Sequence, residues 1–275
     1  MVDLSISIVL FENDAQEIQN LLNCIYPINL SYKIYLIDNS QTDRLRNIAE
    51  RNNIEYIFND KNIGFGKAHN IALRKAVDQS SYHLVLNPDI EFKPSVVENI
   101  YQFMEEHRDV GQLLPKVFYN NGHLQRLCHL LPTPFNLIGR RFFKNMNWSK
   151  KLNDEYELNG FTYDQCLNIP NLSGCFMFLR CDVLKRTGLF DERYFMYMED
   201  IDLCRRIHAI SKTVFYPEVS IIHGFEKESY SNNVVLKYHI RSAIRYFNKW
   251  GWFFDKERAR FNSRILQKVN KCICS

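Results

Sequence analysis

Through the first third of the chain, short apolar runs alternate with polar segments of helical spacing. Leu4 to Leu10 alternates and then runs apolar, which predicts a strand, and Asp14 to Cys24 follows with Ile18, Leu21 and Leu22 on one helical face. Tyr32 to Ile37 predicts a second strand that stops at Asp38-Asn39-Ser40. A short helix over about residues 43–51, a third strand from Ile54 to Phe58 and a helix from Lys67 to Val77 continue the series. Tyr82 to Leu86 predicts a fourth strand ending at Asn87-Pro88-Asp89. Pro94 then suits the first turn of a helix that turns Val97, Ile100, Tyr101 and Met104 inward. Strand and helix in alternation predict an α/β fold: a Rossmann-like, mostly parallel central sheet flanked by helices.

A second pattern lies further on. The aromatic run from Phe190 to Tyr197 delivers Glu199, Asp200 and Asp202 to the head of a segment whose Ile201, Cys204, Ile207 and Ile210 fall on one predicted buried face. A carboxylate beside apolar and aromatic walls resists ionisation, and a helix start supports its anion, so this arrangement suits a general base. The same residues also read as an ordinary acidic first turn with a capping Asp.

Composition narrows the classes. A chain of 275 residues, nearly half apolar or aromatic and without low-complexity tracts, buries a sizeable core as one large domain or one domain with an appendage. Its eight cysteines are scattered without CxxC pairs, which suggests neither a zinc site nor a disulfide framework and leads us to expect a reducing compartment. The segment from Met1 into Leu4–Phe11 lacks the basic front and cleavage site of a signal peptide. No apolar run approaches the ~20 residues that span a bilayer. The net charge of +4 is uneven: residues 232–275 hold ten Lys or Arg against two acids, a net +8, which leaves −4 for the first 231. A main body of that sign lacks the basic footprint of a nucleic-acid-binding protein.

Ligands of open parallel sheets gather beyond the carboxyl ends of the strands, and three polar clusters lie there. Asp38, Asn39 and Ser40 suit a base or ribose; Asn62, Gly64 and Gly66 let backbone approach phosphate at a helix start; Asp89 suits a divalent cation. Singly, each is also common turn chemistry. Together with the Glu199-Asp200 pair they point to an enzyme acting on a nucleotide diphosphate.

The same stretches carry a resemblance. Ser7–Phe11, Asp38-Asn39-Ser40, Asn62-Ile63-Gly64-Phe65-Gly66-Lys67-Ala68-His69-Asn70, Leu86-Asn87-Pro88-Asp89, Ser173-Gly174-Cys175, Gly188–Glu192 and Glu199-Asp200-Ile201-Asp202 resemble the inverting family 2 glycosyltransferases of GT-A fold. The likeness is nearest to the rhamnosyltransferase-like branch that builds bacterial surface polysaccharides, and it covers roughly residues 4–225. It implies that Asp200 is the catalytic base with Glu199 its partner. It also implies that Asp38, Ser40, Asn62, Gly64, Asn70, Asn87 and Gly174 bind the nucleotide sugar donor, and that Asp89, with His223, holds Mg2+ or Mn2+. Where the family places an Asp-x-Asp pair this chain has Asn87-Pro88-Asp89, so Asp89 is the one anionic ligand and the cation leans on diphosphate oxygens and water. Asp202 is expected to cap or to pair with an Arg, and His223 reads equally as a structural residue after an apolar strand.

The implied reaction is one displacement: Asp200 takes the proton of an acceptor hydroxyl that attacks the anomeric carbon opposite the leaving nucleotide diphosphate. The donor class includes dTDP-rhamnose; the acceptor is a saccharide or a lipid-linked saccharide. A non-catalytic nucleotide-sugar-binding protein of the same fold is the alternative. A nucleotidyltransferase would need an early Gly-rich triphosphate loop, which the chain lacks.

Residues 112–170 mix Phe135, Phe142, Phe143, Trp148, Tyr156, Phe161 and Tyr163 with Arg140, Arg141, Lys144, Lys150 and Lys151. This predicts a partly ordered insertion near the acceptor, with a packed structural excursion as the alternative. We divide the chain into a catalytic domain, 1–231, and a basic amphipathic helical tail, 232–275. In the tail, Val235, Tyr238, Ile240, Ala243, Ile244, Phe247 and Trp250 sit among Lys237, Arg241, Arg245 and Lys249. Such a helix lies on an anionic membrane surface or packs on the domain with its charges outward. The expected location is the cytoplasm, at the inner face of the cytoplasmic membrane.

Overall fold

The first four apolar runs form β1 (Val2–Leu10), β2 (Tyr32–Asp38), β3 (Ile54–Phe58) and β4 (Ser80–Leu86), with α1 (Ala15–Ile25) and α2 (Phe65–Ala76) between them. The structure is a computed structural model that describes residues 1–49, 51–139, 147–224 and 233–273. The side chains of 138, 139, 147, 149, 233 and 270–273 lie outside that description. Asp14 caps α1 by accepting from Gln16 N, and α2 starts directly after Gly64, two residues earlier than its apolar spacing predicts. The helix expected over 43–51 is only a 3-10 turn, Arg46–Ala49. Leu45 is its one fully buried apolar side chain, and Thr42, Asp43 and Asn47 favour turns over helix.

The chain then adds β5 (Ile90–Glu91), α3 (Pro94–Glu106), β6 (Val110–Phe118), β7 (Cys128–His129), α4 (Asn147–Tyr156), β8 (Leu167–Asn168), β9 (Asn171–Leu172), β10 (Phe176–Arg180) and α5 (Cys181–Thr187). It ends with α6 (Glu199–His208), β11 (Lys212–His223), α7 (Asn233–Trp250) and α8 (Lys256–Ile273). The main sheet runs β3-β2-β1-β4-β10-β6-β11-β5, with β8 alongside β11. β1 is parallel to β2 and β4, with Ile6 opposite Ile34 on one side and Leu84 on the other. β10 enters antiparallel, pairing Phe178 with Leu84 and with Leu113, while β11 is parallel to β6. Most strands therefore point one way, the mostly parallel sheet expected from the alternation.

Helices cover both faces. Ile18, Leu21 and Leu22 of α1 join Val97, Ile100 and Met104 of α3 in the core over one face. On the other, Ala68, Ala72 and Leu73 of α2 pack with Tyr35, Ile37 and Val85, and Leu203 and Ile207 of α6 with Met177 and Leu179. Ile210 does not extend the buried face of α6 as its spacing predicts, because the helix ends at His208 and Ile210 lies exposed in the following turn.

Within 112–170 the described residues belong to the fold rather than to a loose insertion. β6 is a central strand, and Phe161 and Tyr163 pack edge to face on Phe215 at 5.6 and 4.9 Å. For Phe161 and Tyr163 the packed-excursion reading holds, since both rings are buried; Arg140, Arg141, Phe142, Phe143 and Lys144 lie outside the described residues. The expected boundary at 231 also lies outside them. Beyond it, Ala243, Tyr246 and Phe247 of α7 bury against Tyr194 and Met198, and Ile265 and Val269 of α8 join the main core. Among the described residues no helix is long and apolar enough to cross a membrane.

One polar chain crosses the core. Ser5 Oγ lies 2.6 Å from His83 Nδ1, His83 Nε2 is 2.8 Å from Ser7 Oγ, and Ser7 Oγ is 2.7 Å from His69 Nδ1. Both imidazoles are fully buried; burial holds His69 well below the ordinary histidine range and brings His83 down to about 3. A histidine kept neutral by the fold leaves the unfolded chain with more bound protons below pH 6.5, so stability falls as pH drops from 6.5 toward about 3. One such group gives a slope of about 1.4 kcal/mol per pH unit. His83→Gln is expected to flatten the stability-versus-pH curve from urea unfolding by that slope relative to the unchanged chain. Two parallel curves would contradict the buried neutral state.

Candidate active site

β1, β2 and β4 end on the same side of the sheet, and the chain leaves β1 outward to β2 and β3 before returning to β4 on its other flank. This reversal opens a crevice at the carboxyl ends of the strands, the place where α/β sheets gather ligands. A cleft of about 660 Å3 lies there, lined by Phe11, Asn39, Asn62, Asn87, Asp89, Gly174, Glu199, Asp200 and His223, among others.

The loop Ser173–Cys175 ties the two sides of the cleft together. Asn87 N donates to Cys175 O at 2.9 Å, and Gly174 N donates to Asp200 Oδ2 at 3.1 Å. Ile201 N supports the other oxygen of Asp200 at 2.8 Å. Asp200 thus sits in the first turn of α6 with backbone N–H donors on both oxygens, and the helix start favours its charge. Tyr197 and Met198 enter that helix at φ of 67 and 71°, a left-handed turn that non-glycine residues rarely adopt. Burial pushes both acids of the pair upward, against the pull of these N–H donors on Asp200. Glu199, buried and further raised by the Asp200 charge, reaches about 8. The two buried acids thus resist carrying two charges at once, with the Asp200 charge raising Glu199 further. The fields of Asp89 and Asp200 both reach the Cys175 thiol, which burial first and those charges second push up to about 12.

Opposite this pair, His223 Nε2 lies 3.4 Å from Asp89 Oδ2 and 3.5 Å from Asn87 Nδ2. Gln125 decides the tautomer. Its Nε2 donates to His223 O at 2.8 Å, so its Oε1, 3.0 Å from His223 Nδ1, must accept and the proton sits on Nδ1. Nε2 is thereby aimed at the Asp89 carboxylate and the Asn87 amide, the direction in which a cation would be shared between imidazole and carboxylate. The donor set of one carboxylate and one oriented imidazole fits part of a divalent-cation site. Among the described residues no group of three or more His, Cys, Asp or Glu suits a metal, so a cation there would need ligands from its partner molecule.

Of the residues singled out in the sequence, Asn62, Asn87, Asp89, Gly174, Glu199, Asp200 and His223 meet in this cleft. Asp38, Ser40, Gly64 and Asn70 do not line it. Asp38 is fully buried and accepts from Ser40 N and the Tyr56 hydroxyl, while Ser40 Oγ accepts from Glu12 N. Asn70 spends both amide ends on Phe190, donating to its carbonyl at 2.8 Å and accepting from its N–H at 3.0 Å. Gly64 has φ of 93°, and a Cβ there would meet Phe195 O at 2.4 Å. Asn39, between Asp38 and Ser40, lines the cleft, its amide nitrogen donating to Asn62 Oδ1 and Gly64 O and its oxygen accepting from Asn59 Nδ2. Asp202 does pair as expected, with Arg206 Nε at 2.8 Å and also with Lys249 at 2.7 Å. Gln125 carried no signal in the sequence, since it lies outside every periodic element; Asn39 was visible only as the middle of a turn motif.

The family model for glycosyl transferase family 2 matches residues 5–188. Among curated relatives, the chain is 25% identical over 207 residues to the low-salt glycan biosynthesis hexosyltransferase Agl10 of Haloferax volcanii, covering 74% of this chain and 61% of that protein. It is 26% identical over 250 residues to the rhamnosyltransferase WbbL of Escherichia coli, covering 87% and 90%. With the N-acetylglucosaminyl-diphospho-decaprenol L-rhamnosyltransferase of Mycobacterium tuberculosis it shares 23% over 206 residues, 69% and 66% of the two chains. The chain thus spans less than two thirds of the length of two of these three. Its fold is similar to that of GalNAc-T7, crystallised with UDP, GalNAc and Mn2+, at a TM-score of 0.63, 13% identity, 91% of this chain and 50% of that one. It is likewise similar to the mannosyltransferase PcManGT of Pyrobaculum calidifontis, in complex with GDP-Man and Mn2+, at 0.57, 16% identity, 89% and 64%.

A Cβ at position 174 would lie 2.9 Å from Asp200 Cβ, closer than real contacts allow. Gly174→Ala is expected to push the Asp200 carboxylate off its N–H donors and to lower any turnover at this cleft at least tenfold. A circular dichroism spectrum and melting temperature near those of the unchanged chain would accompany the loss. Turnover equal to that of the unchanged chain would show that the close approach is not needed.

Proposed function

The chain belongs to glycosyl transferase family 2, and from that membership we propose that it is an inverting glycosyltransferase in the synthesis of a cell-surface polysaccharide. The donor is a nucleotide-diphosphate sugar, with dTDP-rhamnose favoured by the rhamnosyltransferase relatives. The acceptor is a hydroxyl of a saccharide or lipid-linked saccharide, a reading supported by the decaprenol-linked substrate in the name of one relative. One observation carries the reaction type: Asp200, at a helix start with a backbone N–H on each oxygen, faces the same cleft as Asp89 and His223.

The residues divide the work. Asp200 accepts the proton of the acceptor hydroxyl as that oxygen attacks the anomeric carbon from the face opposite the leaving diphosphate, which inverts the centre. Glu199 stays protonated, so no second negative charge competes with Asp200 below about pH 8. Asp89 and His223, with His223 held by Gln125, would hold Mg2+ or Mn2+ together with diphosphate oxygens. Such an ion supplies charge stabilisation for the departing diphosphate, and the Mn2+ in the two similar structures supports its use. Asn62 and Asn87 line the donor side, whereas Asp38, Ser40, Gly64 and Asn70 act as framework. We assign the chemistry to residues 1–231 and a bracing, membrane-facing role to 232–275, with the enzyme at the inner face of the cytoplasmic membrane.

Asp200→Asn is expected to lower nucleotide release from a donor–acceptor pair by about 10²–10⁴-fold while donor still protects the chain from thermal unfolding. Glu199→Gln, which mimics the protonated acid, is expected to keep the rate within a few-fold at pH 7. In the unchanged chain the rate should rise with pH as Asp200 loses its proton. An Asp200→Asn enzyme with full turnover, or a Glu199→Gln enzyme as damaged as Asp200→Asn, would overturn this division. Asp89→Ala is expected to abolish the part of donor affinity that depends on added Mn2+ in calorimetry, and an undiminished metal effect would remove Asp89 from the site.

A further inference from the structure

Helix α7 has two faces with different fates. Its inner face is consumed by the fold: Ala243, Tyr246 and Phe247 are buried, and Ser242 Oγ donates to Met196 O at 2.8 Å. Its outer face keeps Ile240 and Ile244 at 45 and 41% exposure, one turn apart, next to exposed Lys237 and Arg241. The helix contains no acidic residue. Beyond it, Phe253 and Phe254 stand out at 79 and 98% exposure.

The turn that carries this aromatic pair is built. Gly251 takes φ of 98°, Trp252 packs on Phe247 at 5.2 Å, and the buried Arg258 donates to the carbonyls of Gly251, Trp252 and Phe253 at 3.5, 3.2 and 3.3 Å. The backbone that carries the first of the two phenyl rings is thus held by a guanidinium, so less of its ordering remains to be done on insertion into an apolar phase. The chain then enters α8, whose exposed Lys256, Arg260, Arg264 and Lys268 recur every fourth residue along one stripe.

We propose that the outer face of α7 and the Phe253-Phe254 turn that follows it, with the basic residues of α8 as a further source of charge, dock on a lipid bilayer bearing anionic headgroups. Charge complementarity selects that occupant, because aliphatic and aromatic side chains set among cations match the boundary between acyl chains and anionic headgroups. The inference deepens the reading of the tail given above by naming the residues that insert and those that select charge. The helix that carries this face borders the cleft: Met196 and Tyr197 line the cleft and meet Ser242 and His239 of α7.

The test is co-sedimentation of the full chain with phosphatidylcholine vesicles, with and without phosphatidylglycerol, at low and high salt. The unchanged chain is expected to pellet with the mixed vesicles at low salt and to stay in solution with phosphatidylcholine alone. Phe253→Ser with Phe254→Ser is expected to weaken binding to mixed vesicles at least tenfold. Lys237→Gln with Arg241→Gln is expected to reduce the preference for phosphatidylglycerol. Nucleotide release with a soluble saccharide acceptor should be unaffected in both variants, so a failure of docking is separable from a failure of the glycosyltransferase reading. A chain that stays in the supernatant with mixed vesicles at low salt, or whose binding is untouched by the Phe changes, would overturn the proposal. So would an equal, salt-sensitive retention of the chain by a polyanion such as heparin, which would mark the surface as a general cation exchanger.

Discussion

The structure hangs on a close approach of backbone to carboxylate at residues 173–175. Cys175 O accepts from Asn87 N at the end of β4, and one residue earlier Gly174 N donates to Asp200 at the start of α6. Two elements far apart in the chain are thereby set on either side of one loop. No side chain fits between Gly174 and Asp200, so the acid is held by contact as well as by hydrogen bonding. Insertion of β10 antiparallel between β4 and β6 makes this geometry possible, because it brings the start of β10 to the carboxyl end of β4.

Around that approach the acid-bearing helix is pinned from the far side. Arg205 of α6 is buried, pairs with both oxygens of Asp255 at 2.7 Å and with Glu257 at 3.0 Å, and lies over the Trp250 ring at 4.0 Å. Asp202, also buried, accepts from Lys249, Arg206 and Trp250 Nε1. Buried charges are costly unless fully paired, and here every partner except Arg206 comes from α7, α8 or the turn joining them. The tail therefore completes α6 instead of trailing from it. Phe195 stacking on Tyr238 at 4.4 Å extends the same bracing to the loop that leads into the left-handed turn at Tyr197 and Met198.

Electrostatics divides the paired acids and the opposed ligands in different ways. Burial raises both acids of the pair, Glu199 further by the Asp200 charge, while backbone N–H groups pull each of them back toward ionisation, on Asp200 from Ile201 and Gly174. On the other wall a glutamine outside any catalytic motif holds the Nδ1 side of the histidine and turns its Nε2 toward Asp89. A cleft with an anion supported on one side and a cation-seeking pair on the other is polarised before any ligand arrives.

The order of strands and helices up to β4, the acidic turn at Glu199–Asp202 and the polar strand ends were legible in the sequence, because period and turn chemistry are local. Periodicity also exposed the amphipathic tail, yet it could not divide Ile240 and Ile244 from Ala243 and Phe247, since which face is covered depends on what lies opposite. Asp38 and Asn70 look like ligand residues in one dimension. In the fold their polar atoms already have partners remote in the chain, Tyr56 for Asp38 and Phe190 for Asn70. Gln125, the place of β10 in the sheet and the meeting of Asp89 with His223 rest on long-range register, which no local pattern encodes. The sequence by itself determined which chemical groups exist and which segments carry them, whereas the tertiary structure alone decided which of them face the same solvent-filled space, because facing is a property of packing.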